Sequence, residues 1–377
     1  MFRSQHRRFL PLCGLFVGLC ACSQSGAGVP PGAQSLSRIA PADNTSILKN
    51  LNTDVVIGST VDPVNGDKGP HSLAIVPTNY GLKKGQLVVC NFADSNGMPG
   101  NGTTVEVLNP SPGSNPTRFA QSNDIKGCAG TAINKGNQVY ATGLISGVMT
   151  QFDQTGTEVT TYGSPLVAPF SAVDAHGKHP YSPDYVFASD ASTGSIVSLG
   201  TNNYGAGYQQ VATGFSVGSG SQTGWNTVGP SGLSYYQKTD TLYIADGASN
   251  TVDLFTHASA LLVKNEIVVS DGGKKFTCLH KKTTCGKLVY AGSQLNAPVA
   301  MTVLPNGNLI VANTGAASGG GNELVEMTPK GVVLDTKVID SGPAPAVFAL
   351  ATIGTSDPST RVFYTDTNDN SVHELEP

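Results

Sequence analysis

The chain has 377 residues, of which 45 are glycines and only 13 % are charged. This composition excludes a coiled coil, a long helical bundle and a highly charged disordered protein. The net charge of −4 argues against nucleic acid as a partner, because nucleic-acid binding needs a basic surface.

The first residues predict export. Residues 1–9 contain three arginines and no acidic residue, and the apolar run LPLCGLFVGLCA follows them. The run is too short to span a bilayer, and a basic stretch before such a run is typical of a secretory signal. Its end, Leu19-Cys20-Ala21-Cys22, resembles the bacterial lipobox. The resemblance implies a lipoprotein signal peptide over residues 1–21 and lipidation of Cys22; an ordinary signal peptide is the alternative.

Residues 22–50 are expected to form a flexible tether. The stretch SQSGAGVPPGAQSLSRIAPA is rich in Ser, Gly and Pro and buries little apolar surface. Ser23 follows Cys22 directly, which by the lipoprotein resemblance implies the outer membrane, facing the periplasm or the cell surface. The body of the protein would then be held to the membrane by its lipid anchor only.

Four cysteines remain after the signal segment, an even number that fits an oxidising compartment. Cys278 and Cys285 enclose a short loop and are expected to form one disulfide bond. Cys90 then pairs with Cys128. Four free buried thiols are the alternative.

Six segments of the remaining chain repeat one pattern. Each is an apolar stretch, a polar turn rich in Asp, Asn, Ser and Gly, and an alternating stretch, which is typical of a β-hairpin. The copies begin at Leu87, Gln138, Val186, Leu242, Leu309 and Val362.

A further apolar stretch precedes each copy, and another strand candidate follows most of them. The examples of the latter are TEVTTYG, YQQVATG, EIVVSDG and VVLDTKVID. Each unit therefore predicts a four-stranded antiparallel sheet, and radial repetition of such sheets is a β-propeller. We expect an all-β fold with six blades over residues 51–377.

The segment GPSGLSYYQKTDTLYIADGASNTVDLF, residues 229–255, resembles the NHL repeat, and the resemblance extends over residues 50–377. It implies a six-bladed, TolB-like β-propeller. The last unit ends at its third strand, while residues 54–61 form a spare strand before the first unit. The N-terminal strand is therefore expected to complete the last blade, which hides a sheet edge and closes the ring.

Polar residues recur directly after the second strand of each unit, at spacings of 48 to 67 residues. In antiparallel blades they lie at the same rim as His71, the head of the first inner strand. A ring of Asp and Asn there is a candidate site for a cation or for sugar hydroxyls; the alternative is that each side chain caps its own turn. The column comprises Asn91, Thr142, Asp190, Asp246, Asn313 and Asp366.

Two other groups are candidate sites. His176 and His179 are a local histidine pair, which indicates either a metal site or a solvated loop. Residues 272–287 form a basic finger, expected to dock an anionic partner or lipopolysaccharide phosphates, with a solvated insertion as the alternative. Its lysines are Lys274, Lys275, Lys281, Lys282 and Lys287.

The sequence carries no nucleophile elbow, zinc-protease motif or phosphate loop. We therefore expect a non-catalytic binding platform for a protein or glycan, with no metal or cofactor. The alternative is a metal-dependent lyase or lactonase, because streptogramin lyases and lactonases resemble this family, and it would place a divalent cation in the central channel.

Overall fold

The computed structural model describes residues 44–176, 184–200, 208–218, 228–315 and 321–377. The signal peptide, Cys22, most of the tether and His179 lie outside these residues. The described part is an all-β six-bladed propeller, in which four-stranded antiparallel blades form a ring, so the expected fold class is confirmed. No helix among the described residues is long and apolar enough to cross a membrane.

The strands are numbered in chain order, and the strands of a blade are counted outward from the central channel. Blade 1 consists of β2 (Lys68–Ile75), β3 (Leu87–Ala93), β4 (Thr104–Leu108) and β5 (Thr117–Gln121). Blade 2 consists of β6 (Cys128–Ile133), β7 (Val139–Gly143), β8 (Val148–Phe152) and β9 (Glu158–Tyr162). Blade 3 begins with β10 (Pro169–His176), β11 (Asp184–Asp190), β12 (Ser195–Gly200) and β13 (Tyr208–Thr213).

Blade 4 consists of β14 (Pro230–Tyr236), β15 (Thr241–Asp246), β16 (Thr251–Thr256) and β19 (Gly286–Ala291). Blade 5 consists of β20 (Pro298–Val303), β21 (Leu309–Asn313), β22 (Glu323–Met327) and β23 (Val333–Val338). Blade 6 consists of β24 (Leu350–Ile353), β25 (Arg361–Asp366), β26 (Ser371–Glu376) and β1 (Thr53–Ser59). Short 3₁₀ helices span Leu48–Asn50, Asn123–Ile125, Ala258–Ala260 and Asp357–Ser359.

The N-terminal strand closes the last blade, as the sequence predicts. β1 pairs antiparallel with β26, and Ile57 of β1 is fully buried in the core between blades 6 and 1. Asp54 of β1 contacts His373 of β26 at 3.1 Å and accepts a hydrogen bond from the Tyr364 hydroxyl at 2.6 Å. Burial lowers the pKa of His373, but the hydrogen bonds that its ring donates to the Asp54 and Asp369 carboxylates outweigh this effect and raise the pKa to about 9. A charged imidazolium therefore joins the two ends of the chain at neutral pH.

Packing begins a few residues before the expected boundary at residue 51. Ile47 and Leu48 are buried, although they belong to the segment predicted to be a tether. Glu326 of blade 5 accepts hydrogen bonds from the Leu48 amide at 2.8 Å and from the Ser46 hydroxyl at 2.7 Å. A buried carboxylate needs such donors, so Glu326 fixes the point where the chain enters the propeller.

The fourth strand of blade 4 differs from the prediction. The segment EIVVSDG was expected to fill this place, but β19 pairs with β16 instead. EIVVSDG contributes β17 (Ile267–Ser270), which pairs in parallel with β13 of blade 3 and forms a hairpin with β18 (Lys275–Cys278). The sheet of blade 3 therefore has six strands.

Both predicted disulfide bonds are present. Cys90 of blade 1 is bonded to Cys128 of blade 2, with their Cα atoms 5.4 Å apart. Cys278 and Cys285 are bonded with their Cα atoms 5.3 Å apart. The second bond joins the added hairpin on blade 3 to the chain entering β19 of blade 4.

The asparagines that end the repeated turns connect successive blades. Each adopts a left-handed backbone conformation, with φ between 53° and 59°, which asparagine tolerates better than most residues. Each side-chain oxygen accepts a hydrogen bond from a backbone N–H beside the next inner strand, so this repeated residue has a structural role. The pairs are Asn250 with Ala297 at 2.7 Å, Asn322 with Ala346 at 2.8 Å and Asn370 with Gly69 at 3.0 Å.

Candidate functional site: two cavities along the propeller axis

The propeller has two distinct faces. The second strands of the blades end at one of them, which we call the rim face, and the turns between first and second strands lie on the other, which we call the opposite face. The residues of the predicted column lie at the rim face, as expected from the strand order.

The column side chains are buried and bond to the chain around them rather than to a shared centre. Asp190 accepts hydrogen bonds from the amides of Ser192 and Thr193 at 3.2 and 3.0 Å. Asp246 accepts from Ala248 at 2.9 Å. These are turn-capping contacts.

Among the remaining members of the column, Asp366 also caps its own turn, while the others bond to neighbouring segments of the chain. Asp366 accepts a hydrogen bond from the Asn368 amide at 2.8 Å, and Asn313 accepts one from the Asn296 amide at 3.0 Å. Asn91 donates to the Thr60 carbonyl at 2.8 Å, and Thr142 donates to the Gly130 carbonyl at 3.5 Å. Burial raises the pKa of both Asp246 and Asp366, and it is the largest of the effects on these two pKa values.

A cluster of aromatic rings, which we call the plug, lies between two cavities in the central channel near the rim. His71 is stacked between Phe92 and Phe348, with ring centroids 4.0 and 3.8 Å apart. Phe170 and Val299 line the same two cavities as His71 and Phe348. The predicted rim position of His71 is therefore observed, but its ring is buried among apolar groups, and burial lowers its pKa to about 3. The imidazole is neutral in most solutions.

Bulges at the heads of the inner strands shape the plug. The strand register shifts between Pro70 and Ser72, and again between Pro169 and Ser171. The residues inside these bulges are His71 and Phe170. A bulge redirects a side chain out of the regular alternation, which accounts for these rings lining the channel.

The rim cavity lies above the plug and has a volume of about 550 Å³. Its apolar lining comes mainly from Phe92, Phe170, Val228, Val299 and Phe348. Lys68 and Asn370 are among its polar lining residues. Cavities of this size with an apolar lining and few polar groups are typical binding sites.

Exposed apolar side chains also lie on turns of the same rim face. Met98 is 58 % exposed and Val167 is 49 % exposed. Ile145, on the turn after the second strand of blade 2, is also exposed. The same face carries acidic turns. Their residues are Asp94, Asp124, Asp271, Asp340 and Asp369.

The second cavity lies below the plug, toward the opposite face, and has a volume of about 460 Å³. Its lining includes the hydroxyl groups of Thr131 and Thr302 together with Asp174 and His176. His176 Nδ1 lies 2.8 Å from Asp174 Oδ2, while Asp174 Oδ1 is buried with no hydrogen-bond partner among the described residues. Burial raises the pKa of Asp174.

The sequence interpretation missed this Asp174–His176 pair. It associated His176 with His179, which lies outside the described residues. The alternation of strand β10 is the signal that could have found the pair, because residues two apart in a strand lie on the same side.

One cluster of potential metal ligands is present among the described residues. Oxygen and nitrogen atoms of Asp366, Asp369 and His373 lie within 4.8 Å of one another. Both ring nitrogens of His373 are already occupied, one by Asp54 and the other by Asp369. The cluster lies on the second and third strands of blade 6, away from the inner strands that line the channel.

The structure divides the predicted basic finger. Lys274 and Lys275 lie at the rim end of β18, where Lys275 forms an ion pair with Asp271 at 3.1 Å. Lys281 and Lys282 follow the other end of β18, toward the opposite face. A four-residue strand of about 13 Å separates the two pairs, and Lys287 lies in β19.

No family model matches the chain, and no curated protein matches it. Among solved structures, it is similar to a gluconolactonase from Xanthomonas campestris at 12 % identity and a TM-score of 0.52, covering 82 % of this chain and 86 % of that one. It is also similar to virginiamycin B lyase from Staphylococcus aureus, at 13 % identity, TM-score 0.47 and coverage of 86 % and 88 %. A chain of a nidogen/laminin complex aligns at 15 % identity and TM-score 0.48, over 72 % and 80 %. At these identities the likeness supports the fold alone.

Proposed function

We propose that this protein is an exported, lipid-anchored propeller of the NHL type that binds a protein partner at its rim face and does not catalyse a reaction. The rim cavity carries the proposal. Its aromatic and aliphatic walls fit an apolar side chain, whereas a sugar requires more hydrogen-bonding groups than this lining supplies. The exposed Met98, Ile145 and Val167 extend the apolar surface, and exposed apolar patches mark interaction sites.

The acidic rim turns define the partner further. Carboxylates on the same face as an apolar cavity favour a segment whose apolar residue is flanked by Lys or Arg, because complementary charges orient the encounter and exclude acidic competitors. The proposed ligand is therefore a basic peptide segment with one apolar anchor.

The rim cavity can be tested by filling it. Thr367→Trp places a large ring among the cavity-lining residues of blade 6, and Thr355→Trp places the same ring on an exposed turn at the opposite face. Random peptides are selected on the immobilised protein and sequenced. We expect enriched peptides with an aromatic or aliphatic residue beside Lys or Arg, and Thr367→Trp should weaken their binding at least about tenfold while Thr355→Trp leaves it unchanged.

Two results would contradict the proposal: enriched peptides that bind both variants equally, or no enrichment at all. A divalent metal bound in stoichiometric amount to the purified protein would instead favour the lyase or lactonase alternative. The pair Asp174–His176 in the second cavity is the observation that keeps that alternative open, since a buried carboxylate beside an imidazole is typical of acid–base sites.

The lipid anchor has its own test. Cys22→Ala removes the proposed acylation site, while Cys20→Ala leaves it in place. In a Gram-negative host we expect acyl chains on the Cys20→Ala protein and none on the Cys22→Ala protein, by intact mass. The Cys22→Ala protein should leave the membrane fraction in a high-salt wash, because salt screens any remaining charge attraction. Acylation of Cys22→Ala and its loss in Cys20→Ala would reverse the assignment.

A further inference from the structure

Two loops of blade 4 meet on the opposite face and form one projecting surface. We call it the tip, and it consists of residues 261–266 and 279–284. The amide of Leu279 donates to the Glu266 carbonyl at 2.9 Å. The buried Glu266 carboxylate accepts from the Leu262 amide at 3.1 Å and contacts His280 at 2.9 Å. One carboxylate therefore holds both loops together.

The tip combines exposed apolar and basic side chains. Leu279 is 63 % exposed, Leu262 43 % and Val263 41 %. Lys281 and Lys282 follow Leu279 after one intervening residue, His280, and the side chains of Lys264, Lys281 and Lys282 are exposed. Apolar groups beside lysines are the combination that binds anionic lipid surfaces, where the apolar groups enter the interface and the cations attract the headgroups.

The disulfide bond fixes the tip from below. Cys278 and Cys285 bracket the second loop, and the Cys285 carbonyl accepts a hydrogen bond from the Thr256 amide at 3.0 Å. His257 Nδ1 lies 2.6 Å from the Thr283 carbonyl oxygen. The exposed side chains are thus presented from an ordered loop, which lowers the entropy that binding must overcome.

The chain enters the propeller on this same face. The Asn308 side chain, on the opposite-face turn of blade 5, donates to the Thr45 carbonyl at 3.3 Å. The described part of the chain therefore begins on the face that carries the tip, one blade away from it.

Charge is distributed unevenly between the two faces. The rim turns carry the acidic residues given above, together with Lys68, Lys126, Lys274 and Lys275. Turns on the opposite face carry many of the remaining lysines. Their residues are Lys83, Lys84, Lys135, Lys238 and Lys330. These lysines attract an anionic surface, while acidic residues on the same face, such as Asp153 and Asp357, reduce the attraction.

From these observations we infer that the tip docks on an anionic lipid surface, by inserting Leu279, Leu262 and Val263 while Lys264, Lys281 and Lys282 contact lipid phosphates. The rim cavity then points away from the membrane. The inference does not require the rim to bind a protein, and it does not require acylation of Cys22.

Vesicle sedimentation tests the tip. The full chain carrying Cys22→Ala, shown by mass to lack acyl chains, is mixed with phosphatidylcholine vesicles with or without about one third phosphatidylglycerol. We expect binding to the anionic vesicles that weakens as salt is raised. Lys281→Glu with Lys282→Glu should lower the partition coefficient about tenfold or more, and Leu279→Ser should lower it severalfold.

The matched control is Lys274→Glu with Lys275→Glu, which makes the same charge change at the rim end of the same strand and should leave partitioning nearly unchanged. Thermal unfolding of each variant confirms that it folds. Any binding of residues 1–21 to the vesicles is the same for every variant, so the test compares the variants with one another. Equal losses from the two lysine pairs, or equal binding to neutral vesicles, would overturn the inference. A third outcome would also overturn it: soluble polyglutamate displaces the protein from the vesicles, and Leu279→Ser does not weaken vesicle binding. That outcome indicates an acidic protein partner.

Discussion

Deleting residues 1–61 should unfold the propeller, while deleting residues 1–42 should leave its melting temperature unchanged. The longer deletion removes β1, so the backbone groups of β26 lose their partners, and it also removes the buried side chains of Ile47, Leu48, Leu51 and Ile57. Burying each such side chain contributes about 1.5–3 kcal/mol. Their sum approaches the total stability of about 5–15 kcal/mol that is usual for a domain.

Circular dichroism during heating measures both deletions against the full chain. A third variant, Glu326→Ala, keeps every residue of β1 but leaves the Ser46 hydroxyl and the Ile47 and Leu48 amides without their acceptor. We expect an intermediate loss for it, because unsatisfied buried donors cost about 1–3 kcal/mol each. Equal melting temperatures for the two deletions would show that the N-terminal strand does not close the ring.

Replacing Cys90 and Cys128 by alanine should destabilise the protein more than replacing Cys278 and Cys285. The first bond closes a loop with a sequence separation of 38 residues and the second a loop with a separation of 7. The chain-entropy relation gives about 4 kcal/mol for the longer loop and about 2.5 kcal/mol for the shorter one. Cys90 and Cys128 are also fully buried in the core between blades 1 and 2, so their replacement leaves a cavity as well.

Urea unfolding of the two double variants provides the measurement. As controls, the same two variants are unfolded under reducing conditions. The midpoint should fall further for the Cys90–Cys128 variant. A larger loss from the Cys278–Cys285 variant would mean that the added hairpin, rather than the junction of blades 1 and 2, limits global stability.

The repeats were sufficient to predict the ring, because each hairpin carries its own strand pattern and its own turn residues. They were not sufficient to assign the fourth strand of blade 4. The segments IVVS and KLVY both read as short apolar strands, and a local pattern does not indicate which sheet a strand joins. Here the chain adds β17 and β18 to the sheet of blade 3 before β19 completes blade 4. The periodicity of the sequence does not predict this order.

Strand order predicted at which face the polar column lies, but not what its side chains contact. Strand order placed the polar column at the rim, yet it did not show that Asp190 and Asp246 turn back to their own backbone. The apolar plug was missed because Phe170 and Phe348 look like ordinary core residues in the sequence. A weak signal was present: Pro70 and Pro169 precede the plug residues His71 and Phe170, and proline interrupts the ladder at strand heads and bulges.

The pairing of β1 with β26 has a consequence for synthesis. The register joins Thr53 to Glu376, so β1 has no partner until the segment around residue 376 has been translated. The N-terminal blades can pair internally as they emerge, but the charged contact between Asp54 and His373 forms last. A chain that stops before β26 would therefore yield an open ring with an exposed sheet edge, a product that proteases and chaperones recognise.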